Sequence, residues 1–245
     1  MTNPEETLKQ YLRTLVENFV YLNSILDQVN EFYSWFTENG DQAIRTGGWF
    51  YKVSLFSFKR ILTIETCKFL LDREERSLID WLNKAKEHAN SLNPTEYRRE
   101  GFEHKLVPLT VEEYQSIIDE QIEALSNHDD LKNDLKSLRD KGFAHADKEY
   151  FENPDKLETD FLITWDDFNM IFKLISEILR RHHVLILNAD VNLHLSAAGT
   201  IENILKHTRA FQRIWSNKKL NDIKLKKYAF KLDEGKYDPD DIFLS

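Results

Sequence analysis

Apolar positions along the first forty residues recur with an unusually strict spacing. Leu8, Leu12, Leu15, Phe19, Leu22, Leu26, Val29, Tyr33 and Phe36 alternate steps of four and three. That is a period of 3.5, which predicts one long helix with a coiled-coil-like seam, packed lengthwise on a partner helix of the same chain or of a second subunit. Asn3-Pro4-Glu5-Glu6 supplies its start, with Asn as N-cap and Pro at the first helical position, and Gly40 supplies its stop. From Trp49 to Leu71 the apolar residues point nearly all round, which predicts the most buried helix of the fold. Asp72 reads as the cap of a third helix striped by Leu78, Leu82, Ala85, Ala89 and Leu92, and Asn93-Pro94 ends it.

The charged stretch from Thr95 to Leu109 lacks any helical period and reads as loop. Thr110-Val-Glu-Glu113 is a capping box opening a fourth helix through Tyr114, Ile118 and Leu125, with a break or kink expected at His128-Asp129-Asp130. Leu131, Leu135 and Leu138 stripe the next helix, after which roughly 143–163 is irregular. Thr164-Trp-Asp-Asp167 then opens a helix with Phe168, Ile171, Phe172, Ile175, Leu179 and Ile186 on one side. A last amphipathic helix is expected from about Gly199 to Trp215. Seven Gly and five Pro are few for a β protein, and the pattern as a whole predicts an all-α antiparallel helical bundle over 1–190. Residues 191–245 read as a C-terminal helical extension whose tail is first lysine-rich, between Lys218 and Lys231, then acidic. A charge run of that kind is usually a solvated face.

Charge and cysteine content narrow the function. A net charge of −9 argues against coating nucleic acid through nonspecific phosphate contacts, while leaving room for one local basic cleft. The single cysteine, Cys67, lies in an apolar run and reads as a small buried hydrophobe in a reducing cytoplasm. No secretory leader and no membrane-length apolar run is visible, so a cytoplasmic protein without membrane contact is expected. Neither a Gly-rich phosphate loop nor a paired-cysteine zinc motif occurs. The neighbours His182 and His183 face apart on a helix, so they and Asp190 make poor metal ligands; a solvated or partly buried pair is the expectation, with no metal or cofactor.

The sharpest chemical suggestion is SLRDKGFAHADK, in which Arg139 precedes His145 by six residues. Spacing alone does not single it out, because Arg98 and Arg99 precede His104 at similar intervals. Context separates the two, since only Arg139 ends an amphipathic helix. In an unbroken α-helix, residues six apart stand about 120° out of phase and ~9 Å apart along the axis. A left-handed cap at Gly142 is the expected remedy, turning His145 back toward Arg139. Arg139 and Lys141 also suit the negative end of the helix dipole.

This motif resembles that of the HEPN superfamily, in which an Arg is followed four to six residues later by His. The run KRILTIETCKFLLDREERSLIDWL, the R-D-K-x-x-A-H form of the motif and the helix from Trp165 make the chain similar to the abortive-infection U-type branch over about 5–190. The resemblance implies a homodimer bringing two motifs about a two-fold axis. It also implies metal-independent RNA cleavage in antiviral or toxin–antitoxin defence, with an antitoxin or other defence protein as partner. Carried over to this chain, the catalytic residues are His145 for proton transfer, Arg139 for phosphate stabilisation and Asp140 for orientation, with Lys141 binding substrate. The other function class is a noncatalytic HEPN-fold interaction or regulatory module in such a system. Two motifs facing one another across a charged cleft favour the first; burial away from any cleft favours the second.

Overall fold

The structure, a computed structural model, describes residues 3–39, 48–71, 77–100, 103–144, 152, 156 and 159–194. It is all-α apart from one small hairpin. The elements are α1 (Pro4–Asn39), α2 (Gly48–Leu70), α3 (Leu78–Glu87) and α4 (Ala89–Leu92), then β1 (Thr95–Glu100) and β2 (Glu103–Pro108). After these come α5 (Val111–Ser126), α6 (Asp129–Ser137), a π-helical turn (Leu138–Ala144) and α7 (Trp165–Leu187). Contacts group Met1–Leu26 with Lys59–Leu195 as one compact unit, and Asp27–Phe58 falls in a second.

In the first unit the seam of α1 is spent on the chain's own core. Leu8, Leu12, Leu15, Phe19, Leu22 and Leu26 are all buried. Phe19 meets Phe69 of α2 edge-on at 6.1 Å and Phe172 of α7 at 5.3 Å, geometries that add to simple area burial. Trp81 of α3 donates its indole N–H to the Leu8 carbonyl at 3.0 Å. Tyr11 donates to the Ser77 carbonyl at 2.8 Å. In the second unit Val29 and Phe32 are buried, Phe32 lying 5.4 Å from Tyr51. Tyr33, the next residue of the strict repeat, is exposed, so the buried line has moved by one position.

The helix starts follow the caps. Asn3 accepts from the Glu5 amide at 3.1 Å. Thr110 with Glu113, and Thr164 with Asp167, form reciprocal capping boxes. At α3 the cap is Ser77, which accepts from the Asp80 amide, while Asp72 lies outside the described residues. The stripe expected there is buried from Leu78 to Leu92, and Asn93 closes α4 in the left-handed conformation (φ 46°). Asn127 and His128 form the break between α5 and α6. The expected stripe of α7 is buried throughout, and Asn188 ends it, again left-handed.

Two expectations change. The stretch expected to be loop is an antiparallel hairpin that pairs Thr95 with Pro108 through to Glu100 with Glu103. Its side chains are charged along both strands, so no alternation announces it. The Gly101-Phe102 link between the paired ends was the readable signal, a two-residue connection led by glycine. The second change is in α2, which is not buried along its whole length. Val53 and Phe56 are more than half exposed, whereas Leu62, Thr63, Thr66, Cys67, Phe69 and Leu70 are buried. The helix of 199–215 and the lysine tract lie outside the described residues.

The buried hydroxyls of Thr63 and Thr66 find no hydrogen-bond partner among the described residues. A buried hydroxyl without a partner costs about 1–3 kcal/mol, so Thr66→Val is expected to leave stability unchanged or raise it by about 1 kcal/mol. Chemical denaturation of the variant against wild type checks this, and a loss above 1 kcal/mol would show that the hydroxyl is satisfied.

Candidate functional site

The segment from Leu131 to Ala144 is built from an amphipathic helix whose end changes pitch. Leu135 and Leu138 are buried and pin one side of α6 and of the turn that follows. From Leu138 the backbone bonds i to i+5, which widens the coil and advances each residue by a smaller angle than in an α-helix. Such turns are rare and concentrate at functional sites. Gly142 therefore does not act as a left-handed cap. It stays inside the helix, and the wider coil takes up the residues that an ordinary α-helix would have placed further round.

Arg139 sits at the start of this turn with its side chain largely covered, 18% exposed, and its Nε donates to Asp140 Oδ1 at 2.8 Å. Adjacent side chains on a helix usually diverge, so this bond fixes the guanidinium along one direction. Asp140 itself is half-exposed. Lys141 points elsewhere: its ammonium lies 4.9 Å from the centre of the Phe161 ring, a cation–π contact. At the far end of the turn Arg60 of α2 donates from Nη2 to the Phe143 carbonyl at 3.0 Å. His145 and Asp147 lie outside the described residues. The structure thus pairs Arg139 with Asp140 at the head of the turn and, unexpectedly, sets Arg60 of α2 on the carbonyl of Phe143 near its end. Sequence gave no sign of Arg60, which is 83 residues away in the chain.

The competing pair has a different setting. Arg99 and His104 lie opposite one another in the hairpin, not at a helix end. Arg98 is engaged by Glu96 at 3.1 Å and by Glu113 at 3.2 Å.

The histidine pair of α7 also separates. His182 is completely buried, where a solvated or partly buried pair is expected. It lies between Tyr114 (Oη to Nδ1, 3.0 Å) and Gln121 (Nε2 to Oε1, 2.6 Å), with the Trp81 ring edge-on at 4.8 Å. This suits a neutral ring, accepting from tyrosine and donating to glutamine. Burial, aided by the charge of Arg181, pushes its pKa down to about 3. It is a structural histidine, unable to shuttle protons near neutrality.

His183 bonds the Ala189 carbonyl. Asp190 takes a two-pronged bond from Arg180, both distances 2.7 Å, which with the Val191 amide holds its carboxyl down at about 2. Arg180, Asp190 and Val191 border an open cleft of about 360 Å³ that Ser176, Asn192, Leu193 and His194 also line. Arg180, its nearest cation, is already paired with Asp190. Among the described residues, no group of three His, Cys, Asp or Glu side chains is placed to hold a metal ion, and no helix is long and apolar enough to cross a membrane.

The model of a HEPN family described as AbiU2 aligns with residues 6–208, a span holding α1 from its third residue, every later element above and the whole of the motif. No curated protein and no solved structure matches the chain.

Proposed function

The chain belongs to the AbiU2 family of HEPN domains, associated with abortive infection, and from that premise we propose that it is an endoribonuclease needing no metal ion, with Arg139 and His145 as its reactive groups. The observation that supports this most is the setting of Arg139. It is held by Asp140 at the head of a π-helical turn, six residues before a histidine, within the matched span.

RNA carries its own nucleophile, the 2′-hydroxyl beside the scissile phosphate. Cleavage requires a base for that hydroxyl, an acid for the departing 5′-oxygen and positive charge on the phosphorane. Histidine, with an ordinary pKa of ~6.5, serves either proton-transfer role near neutrality. Arginine stays charged and forks onto two phosphate oxygens. Asp140, by engaging Nε, orients the Arg139 guanidinium. In a homodimer with the motifs about a two-fold axis, one His145 acts as base and the other as acid. Lys141 adds to the field that attracts the RNA backbone. From Leu8 to Val29 the seam of α1 is buried within the subunit, so that stretch does not form the dimer surface.

This chemistry leaves a signature. RNA incubated with the purified protein in EDTA is expected to yield fragments ending in a 2′,3′-cyclic phosphate, with a 5′-hydroxyl on the downstream piece. End-group labelling and mass spectrometry of the products check it. Cleavage that leaves a 3′-hydroxyl, or that requires a divalent ion, contradicts the mechanism. RNA left intact under every condition, together with an expressed protein that does not slow growth, points to the noncatalytic module.

A further inference from the structure

We propose that Arg60 is a positioning residue for the motif: from α2 it fixes the carboxyl end of the π-helical turn, and with it the point from which the chain proceeds to His145. In its catalytic consequence this rests on the nuclease reading; the anchoring itself does not.

The last carbonyls of any helix lack intrahelical donors. The carbonyl of Phe143 is one of these, and a guanidinium N–H reaches it at 3.0 Å. A charged donor makes such a bond roughly twice as strong as a neutral one. The anchor also has a rigid base, because the turn of α2 just beyond Arg60 is buried through Leu62, Thr63, Thr66 and Cys67. Phe143 precedes His145 by two residues in the sequence. Asp140 restrains the head of the same turn through Arg139, and Arg60 restrains its tail. The head of the turn bears Arg139, and in the sequence its last residue, Ala144, directly precedes His145. A misplacement of ~1 Å is enough to cost on the order of a hundredfold in rate.

Arg60 is itself solvent-exposed. An exposed contact of this kind contributes little to global stability, so its removal should disturb the motif and spare the fold. The full-length variants Arg60→Ala, Arg60→Gln and Arg60→Lys are compared with wild type by hydrogen exchange and by cleavage of an RNA oligonucleotide. Arg60→Gln keeps most of the side chain's apolar stem, so a folding defect of the alanine variant alone is not mistaken for the effect. In Arg60→Ala and Arg60→Gln, exchange over 143–147 is expected to rise about tenfold while α1 and α7 stay unchanged. The kcat should fall by roughly ten- to a hundredfold, with KM moving less than about threefold. Arg60→Lys, which still offers one charged N–H, should recover part of both. Unchanged exchange over 143–147 in both Arg60→Ala and Arg60→Gln overturns the proposal. So does a rise in KM at constant kcat, which would make Arg60 a phosphate contact. If the wild-type protein cuts no RNA, the nuclease reading falls, and exchange alone decides whether Arg60 anchors the turn.

Discussion

Substitution of His145 by alanine is expected to lower RNA cleavage about a thousandfold while leaving the fold intact. A single positioned acid or base contributes roughly 10²–10⁴ in rate. In a symmetric dimer one substitution removes both copies, so the loss should lie well inside that range or above it. Arg139→Ala should be comparably severe, because removing one donor that stabilises developing charge costs about 10²–10³. Arg139→Lys is the more informative variant. Lysine keeps the charge but loses the planar fork and the Nε bond to Asp140, so activity should fall partway, by about ten- to a hundredfold. With one histidine as acid and another as base, the rate should trace a bell with pH, its limbs falling on either side of neutrality. Growth arrest on induced expression should vanish in step with cleavage. A His145→Ala protein with the circular dichroism and cleavage rate of wild type would remove His145 from the mechanism.

The elements were largely legible because each carried a local cause. Caps at Asn3, Thr110 and Thr164 are short-range chemistry, and α7 buries one stripe at a regular helical period. What could not be read depended on partners distant in sequence. The seam of α1 is as compatible with a second subunit as with its own chain until Phe69, Trp81 and Phe172 are seen to meet it. The apolar residues of α2 suggested full burial, yet Val53 and Phe56 lie exposed, because periodicity reports a side chain's direction and says nothing of what stands opposite. The hairpin was hidden by charges on both strands. Only its glycine-led link pointed to it.

The candidate site divides the same way. Arg139 and Asp140 were identifiable as a charged pair at the end of an amphipathic helix. The means of accommodating Gly142 was not, since a left-handed cap and a π-helical turn both suit glycine there. Nor was the bond from Arg60 to the Phe143 carbonyl, since a lone arginine in FKRIL carries no mark of it. His182 shows the converse error. It stands beside a second histidine and is expected to be solvated or partly buried with it, whereas Trp81, Tyr114 and Gln121 converge on it from α3 and α5.

That convergence makes His182 the residue whose loss should most damage the fold. Replacement by alanine empties a site walled by Trp81 and leaves the Tyr114 hydroxyl and the Gln121 amide without their partner. Cavity and orphaned polar groups together should cost about 3–5 kcal/mol. At about 2–4 °C per kcal/mol for a chain of this size, Tm should drop by roughly 6–20 °C. The same residue should shape the acid limb of stability. In the folded state its pKa is lowered to about 3, so below the ordinary value of 6.5 the unfolded chain binds a proton that the native chain refuses. Its contribution is therefore complete above pH ~6.5 and lost progressively as pH falls toward 3. Between pH 6.5 and 4.5 that loss is on the order of 2–3 kcal/mol, since each unit corresponds to about 1.4 kcal/mol. Urea denaturation of wild type and His182→Ala across this interval separates the effect from that of the carboxylates, which both proteins share. The two stabilities should converge as pH falls. Tyr114→Phe keeps the burial and removes only one bond, so it should cost about 1–2 kcal/mol while retaining most of the pH slope. Parallel curves for wild type and His182→Ala would mean that the ring accepts its proton without leaving the core.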